Sequence, residues 1–314
     1  MWMQPAKLLI RRLGEFRVRC SQKPGYPERV MNELGRAGAV TLVFFMVLSP
    51  ADPVRGAGHS RAAAKPTPAH CERSAFRIVL DVGHTLELPG ALSARGVPEY
   101  AFNLRLAEAV QQALIAAGFD KTVRLVTATA PWPGLVERAV RANGMHASLF
   151  IAVHHDSVPD ELLETWQYEG QENHFSDRFS GYSIFVSGDN RDRAGSLAFG
   201  RMLGQELQQR SMHYTPHYTL ALMGRHRHQL LDADAGVYRY DQLVVLRETR
   251  MPAVLLEAGS IINRQEELEL ATPERRRLIA EAVAAAVEDF CATRIRAPAA
   301  KSPAPAPTPD RTWR

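Results

Sequence analysis

The sequence contains no HExxH helix, no Walker loop, no GxGxxG turn and no GxSxG elbow. The usual signatures of helical zinc proteases, P-loop nucleotide hydrolysis, dinucleotide binding and α/β-hydrolase nucleophiles are therefore missing. Its central part also lacks a basic excess. The formal net charge of the 314 residues is +4, but residues 1–30 contribute +5 and residues 294–314 contribute +4. Residues 65–293 carry 23 Lys/Arg against 29 Asp/Glu, a balance of −6. Basic character belongs to the ends, so no nucleic-acid partner is expected. No internal repeat is visible. With 46% apolar and 23% charged residues the composition is that of a globular domain, which excludes a collagen-like or wholly disordered chain.

Long apolar runs are scarce too. The most apolar segment, AGAVTLVFFMVL from Ala37 to Leu48, has twelve residues and follows Arg36. A membrane span needs about 20, whereas a signal-peptide core is of this length. The expected organisation is a leader over residues 1–64 with its true start at Met31, a folded body over 65–293, and a disordered Pro/Ala-rich tail over 294–314. An uncleaved membrane anchor is the alternative for the leader. Cleavage predicts a periplasmic protein with no stable anchor. Of three cysteines, Cys71 and Cys291 flank the body. In an oxidising compartment they are positioned either to join its ends or to remain two buried thiols.

The body alternates between two hydrophobic periods. Short apolar runs at 76–81, 122–127, 148–153, 182–187 and 253–256 predict strands. Helical spacing over 102–117, 135–143, 194–210 and 273–290 predicts helices between them. Strand–helix alternation with continuously apolar strands implies a single α/β domain, a mostly parallel twisted sheet flanked by helices. In such sheets ligands bind beyond the carboxyl ends of the strands.

Three polar segments follow predicted strands: Asp81-Val82-Gly83-His84, His154-His155-Asp156 and Glu257-Ala258-Gly259. A lone histidine at such a place is more often a hydrogen-bonded structural residue than a ligand, but two with a carboxylate at one sheet edge change that balance. Glu99, at the start of a predicted helix, is either a helix-dipole acid or a further donor. Two neutral histidines and one carboxylate form a known catalytic zinc set, leaving Glu257 as base. His155 is expected to point away from a ligand at 154, and His226 and His228 to be solvated or to touch substrate. Residues 157–180, with Trp166, Tyr168 and Phe175, form either a lip over the cleft or a surface excursion.

Four segments together resemble the zinc-dependent N-acetylmuramoyl-L-alanine amidases of the amidase-3 type. They are DVGH with Pro89-Gly90-Ala91, GVPEYAFNL, the run Leu135…Arg138…Ala142-Asn143…FIAVHHD, and LLEAGSIIN. The resemblance spans about Phe76 to Phe290. It implies zinc (Zn2+) bound by His84, Glu99 and His154, with Glu257 as catalytic acid/base. The implied reaction is hydrolysis of peptidoglycan between the lactyl group of N-acetylmuramic acid and the L-alanine of the stem peptide. A zinc peptidase acting on another cell-wall amide and a non-catalytic peptidoglycan-binding protein are the rivals. The sequence departs from the family at Thr85, Leu86, Asp156 and Ser260. Asp156 is expected either to orient a ligand histidine or to be solvated. Some relatives carry an autoinhibitory helix after the strand matching Tyr182–Ser187. Here only Gly188–Arg193 fill that slot, so no such helix is expected.

Overall fold

The computed structural model describes residues 71–128 and 131–294. The apolar segment 37–48, the start at Met31 and the tail beyond 294 lie outside them. Apolar runs form a seven-stranded sheet in the order β2-β1-β3-β9-β6-β8-β7. Its members are β1 (Ile78–Val82), β2 (Thr122–Leu125), β3 (Leu149–Asp156), β6 (Ser183–Val186), β7 (Gln229–Asp232), β8 (Val237–Arg239) and β9 (Ala253–Ser260). The pairs β1–β2, β1–β3, β3–β9 and β6–β8 are parallel, while β6–β9 and β7–β8 are antiparallel. The expected α/β domain with a mostly parallel sheet is therefore present. A separate hairpin, β4 (Glu164–Tyr168) and β5 (Gln171–Phe175), stands apart from the sheet.

Alternation along the strands divides the side chains between two layers. Ile78, Leu80, Val82, Ile151, Val153, Val254 and Leu256 face one side. Packed with them are α1 (Glu99–Ala116), α3 (Arg193–Gln209) and α6 (Pro273–Thr293). Val79, Phe150, Ala152, Phe185, Ala253 and Leu255 face the other, with residues of α2 (Pro131–Gly144) and the single turn α4 (Val244–Arg247). Local chemistry fixes the helix ends. Gly118, at φ +88°, follows the close of α1, a left-handed position that glycine takes at little cost. Asn263 caps α5 (Arg264–Leu270) by accepting from the Gln265 and Glu266 amides. Thr272 caps α6 through the Arg275 amide, with Pro273 in its first turn.

Cys71 and Cys291 are joined in a disulfide, Cα–Cα 5.1 Å, linking the segment before β1 to the end of α6. Between β6 and α3 the chain runs through residues 187–192 without a helix, as expected. Strand ends differ from expectation at two functional points: β3 extends through His154 to Asp156 instead of stopping at 153, and β9 through Glu257 to Ser260 instead of stopping at 256. The ladder continues because His154 and Glu257 are themselves register partners.

Candidate active site

The parallel register of β3 and β9 places His154 beside Glu257 on the layer shared with Leu255 and Ala152. One strand further out, β1 delivers His84 two residues beyond its end. His84 has φ +68°, a costly conformation for a residue with a Cβ. Arg138 of α2 holds that turn. Its guanidinium pairs with Asp81 at 2.8 Å and donates to the carbonyls of Val82 and, at 2.6 Å, His84. Glu99 arrives from the opposite side as the first residue of α1, preceded by Pro98.

These elements converge on Glu99. His84 Nε2 lies 2.8 Å from its Oε2 and His154 Nδ1 lies 3.0 Å from its Oε1. One donor atom from each of His84, Glu99 and His154 falls within 4.8 Å of the others. Two glycines make room. A Cβ on Gly83 would stand 2.4 Å from the His154 ring, and one on Gly90 would stand 2.4 Å from Glu99 Oε2 and 2.7 Å from His84 Cδ2. Asn103, one helical turn after Glu99, donates to Glu99 Oε1 at 3.0 Å and to the Gly83 carbonyl at 3.2 Å. The Ala91 and His155 amides complete the carboxylate's partners at 3.3 Å each.

Electrostatics follow from burial and these bonds. Burial alone would raise the Glu99 pKa, but hydrogen bonds with His154 and His84 outweigh it and hold the group far below the carboxylate range. Burial lowers the His154 pKa, so its ring is kept neutral, the form that ligates metals. A converging His₂–carboxylate set in a glycine-lined cradle suits zinc in donor chemistry and in space. Glu257 differs. Its Oε2 is buried without a partner, and burial followed by the nearby Asp156 and Glu99 carboxylates raises its pKa well above normal. An acid in that condition is prepared to take and return a proton.

The remaining expectations divide. His155 is buried and points away from the cluster, its Nδ1 2.8 Å from Asn103 Oδ1, and burial lowers its pKa to about 3. Asp156 is neither solvated nor bonded to a ligand histidine. It is buried and accepts from Tyr218 Oη at 2.6 Å. His226 is exposed, whereas His228 is half-buried against Tyr240, ring centroids 4.1 Å apart. Residues 157–180 split: Ser157, Val158 and Pro159 line a cavity with Glu257, whereas the β4–β5 hairpin braces the loop before Glu99. Trp166 Nε1 donates to the Ala94 carbonyl at 2.7 Å, and the Arg95 guanidinium lies over the Trp166 ring. The sequence placed Asn103 and Arg138 inside the family-like segments without giving either a role, and did not single out Tyr218. The i, i+4 spacing of Glu99 and Asn103 was a further signal for that pair.

The family model for N-acetylmuramoyl-L-alanine amidase matches residues 78–289. No protein of curated function matches the sequence. Among solved structures, the N-acetylmuramyl-L-alanine amidase Ami1 from Mycobacterium smegmatis is similar with a TM-score of 0.53 and 17% identity, covering 70% of this chain and 99% of that one. Ami1 from Mycobacterium abscessus gives 0.52 and 17%, covering 69% and 99%. The CwlD amidase from Clostridioides difficile, solved with the GerS lipoprotein, gives 0.50 and 17%, again covering 69% and 99%. These likenesses extend to the fold, and with the match over residues 78–289 the chain belongs to the N-acetylmuramoyl-L-alanine amidase family.

Proposed function

We propose that this chain is a zinc-dependent peptidoglycan amidase that cuts between the lactyl group of N-acetylmuramic acid and the L-alanine of the stem peptide. One observation carries the proposal. His84, Glu99 and His154 converge in a cradle cleared by Gly83 and Gly90, while Glu257, in register with His154, holds a buried oxygen without a partner. His84, Glu99 and His154 would hold the metal. The chemistry zinc supplies when bound is a lowered pKa for water and Lewis-acid polarisation of a carbonyl.

The chain's own residues supply the rest. Arg138 and Asn103 fix the two sides of the donor set through the His84 carbonyl and the Glu99 carboxylate. Such outer partners maintain donor orientation and affinity. Glu257 accepts a proton from the attacking water and returns it to the departing amide nitrogen. A binding protein has no use for an acid kept dry and unpaired. Among the described residues no helix is long and apolar enough to cross a membrane. The proposed site of action is the cell wall outside the inner membrane.

Digestion of purified peptidoglycan by the purified chain, with and without a zinc chelator, tests this by mass spectrometry of the products. Stem peptides beginning at L-alanine, released beside intact glycan and lost on chelation, are expected. Cleavage within the peptide would instead identify a zinc peptidase.

A further inference from the structure

Resting on the amidase reading, we propose that Glu257 divides the cleft into two arms with different occupants. The arm on the β9–β6–β8 side takes the amine half of the substrate, the stem peptide. Arg225 and His226 at its mouth recognise a free carboxylate on that peptide's second residue.

The cleft holds two adjoining cavities. His84 and His154 line one of about 630 Å³, walled by aliphatic residues including Leu88 and Leu135. Glu257 lines the other, of about 280 Å³, with Tyr218, His228 and Tyr240. Leu243 and Leu255 border both. The sheet order sets their sequence in space. The donor histidines come from β1 and β3, Glu257 from β9, and Phe185 of the second cavity from β6. The acid therefore stands between the donors and the second cavity.

Proton bookkeeping then assigns the arms. In amide hydrolysis the water oxygen bonds to the carbonyl carbon and the carbon–nitrogen bond breaks. The water's proton passes to Glu257 and from there to the nitrogen, giving a carboxylic acid and an amine. That nitrogen must come within hydrogen-bond reach of Glu257, so the amine half departs into the cavity Glu257 lines. The acyl half, lactyl group and sugar, is left to the aliphatic arm.

The mouth of the second cavity supports the same assignment. There it opens into a hollow of about 660 Å³ that shares Pro159, Met223 and His226 with it, where Arg225 stands beside His226 and Asp160 and Glu161 also line the wall. Arg225 Nε donates to His226 Nε2 at 3.2 Å, and among the described residues its guanidinium has no acidic partner. A neutral sugar presents nothing for charges of both signs. A stem peptide does, with a carboxylate on its second residue and an amine on its diamino third residue. A guanidinium matches a carboxylate in charge and in planar geometry.

Isothermal titration of the full zinc-loaded chain tests this with L-alanyl-γ-D-glutamyl-L-lysine and with the same tripeptide carrying a carboxamide on its second residue. The acid form should bind at least tenfold tighter. In the Arg225→Ala/His226→Ala double variant the ratio of dissociation constants should fall to near one, and Arg225→Glu should invert it. Both positions are exposed, so the variants should keep the native circular dichroism spectrum. A ratio near one in the unaltered chain, an unchanged ratio in both variants, or no binding of either peptide at millimolar concentration overturns the assignment. The digestion assay separates the two conclusions. If L-alanine-terminated peptides are released while the ratio stays at one, only the arm assignment falls; if none are released, the amidase reading falls.

Discussion

Glu257 and His154 sit side by side on parallel strands, yet their surroundings set them different tasks. His154 faces a carboxylate that fixes its ring, whereas burial, and after it the Asp156 and Glu99 carboxylates, disfavour the ionised form of Glu257. Replacing each side chain should therefore fail in a different way. Glu257→Ala is expected to retain one zinc per chain while turnover falls by roughly 10²–10⁴-fold, the usual contribution of a positioned acid/base. His84→Ala should lose the metal itself. Elemental analysis beside a peptidoglycan-release assay reads both. Full activity in Glu257→Ala would remove that residue from the reaction, and unchanged zinc content in His84→Ala would remove it from the donor set. His84, Glu99, His154 and Glu257 stood out in the sequence because each is polar and follows an apolar run or opens a helical pattern. The roles of Asn103 and Arg138 did not, since their partners at Gly83, His84 and Glu99 meet only after folding. The partner of Asp156 was hidden for the same reason: Tyr218 lies 62 residues further along the chain and meets it only in the folded protein.

Elements, not single side chains, bring Glu99 to the histidines. The segment between β1 and α1 has little regular structure, and it is held from α5. Glu267 accepts from Ser93 Oγ at 2.6 Å and from the Arg95 amide at 3.3 Å, and it pairs with the Arg95 guanidinium at 2.6 Å. The β4–β5 hairpin braces the same loop through Trp166. Glu267→Gln keeps the shape but weakens these charge-assisted bonds. Zinc affinity should drop by roughly tenfold, the lower end of the range for groups that support metal ligands. Competition with a chromogenic chelator measures the affinity, and hydrogen exchange at residues 91–99 should accelerate in the metal-free variant. Unaltered affinity together with faster exchange would show that the loop can loosen without disturbing Glu99. None of this bracing was visible in the sequence. The hairpin strands alternate weakly and are mostly polar, and β7 and β8 span only four and three residues, too short for a period to stand out. The long apolar strands and the helices with clear stops were readable, because burial on both faces of the sheet demands them.

At the scale of the whole molecule, the Cys71–Cys291 bond lies on a different layer from His154 and Glu257. Cys291 belongs to the core layer of α1, α3 and α6 and Cys71 packs against it, whereas Glu257 and His154 share their faces of β9 and β3 with the other layer. The bond closes a loop with a sequence separation of 220. In the chain-entropy view a loop of that length lowers the entropy of the unfolded ensemble by an amount equivalent to about 5 kcal/mol at 25 °C, and native disulfides commonly contribute about 2–5 kcal/mol. For a domain of this size each kcal/mol shifts the melting temperature by about 2–4 °C. The Cys71→Ser/Cys291→Ser variant, or the reduced protein, should therefore melt roughly 5–15 °C lower. Because the constraint acts chiefly on the unfolded chain, zinc affinity and turnover well below the melting temperature should be unchanged. Calorimetry with and without reductant, paired with zinc titration at 25 °C, separates the two effects. A lower melting temperature with intact zinc affinity fits a bond that stabilises from the far layer. A parallel loss of zinc affinity would mean that the disulfide strains or positions α1, and with it Glu99, through the α1–α6 packing.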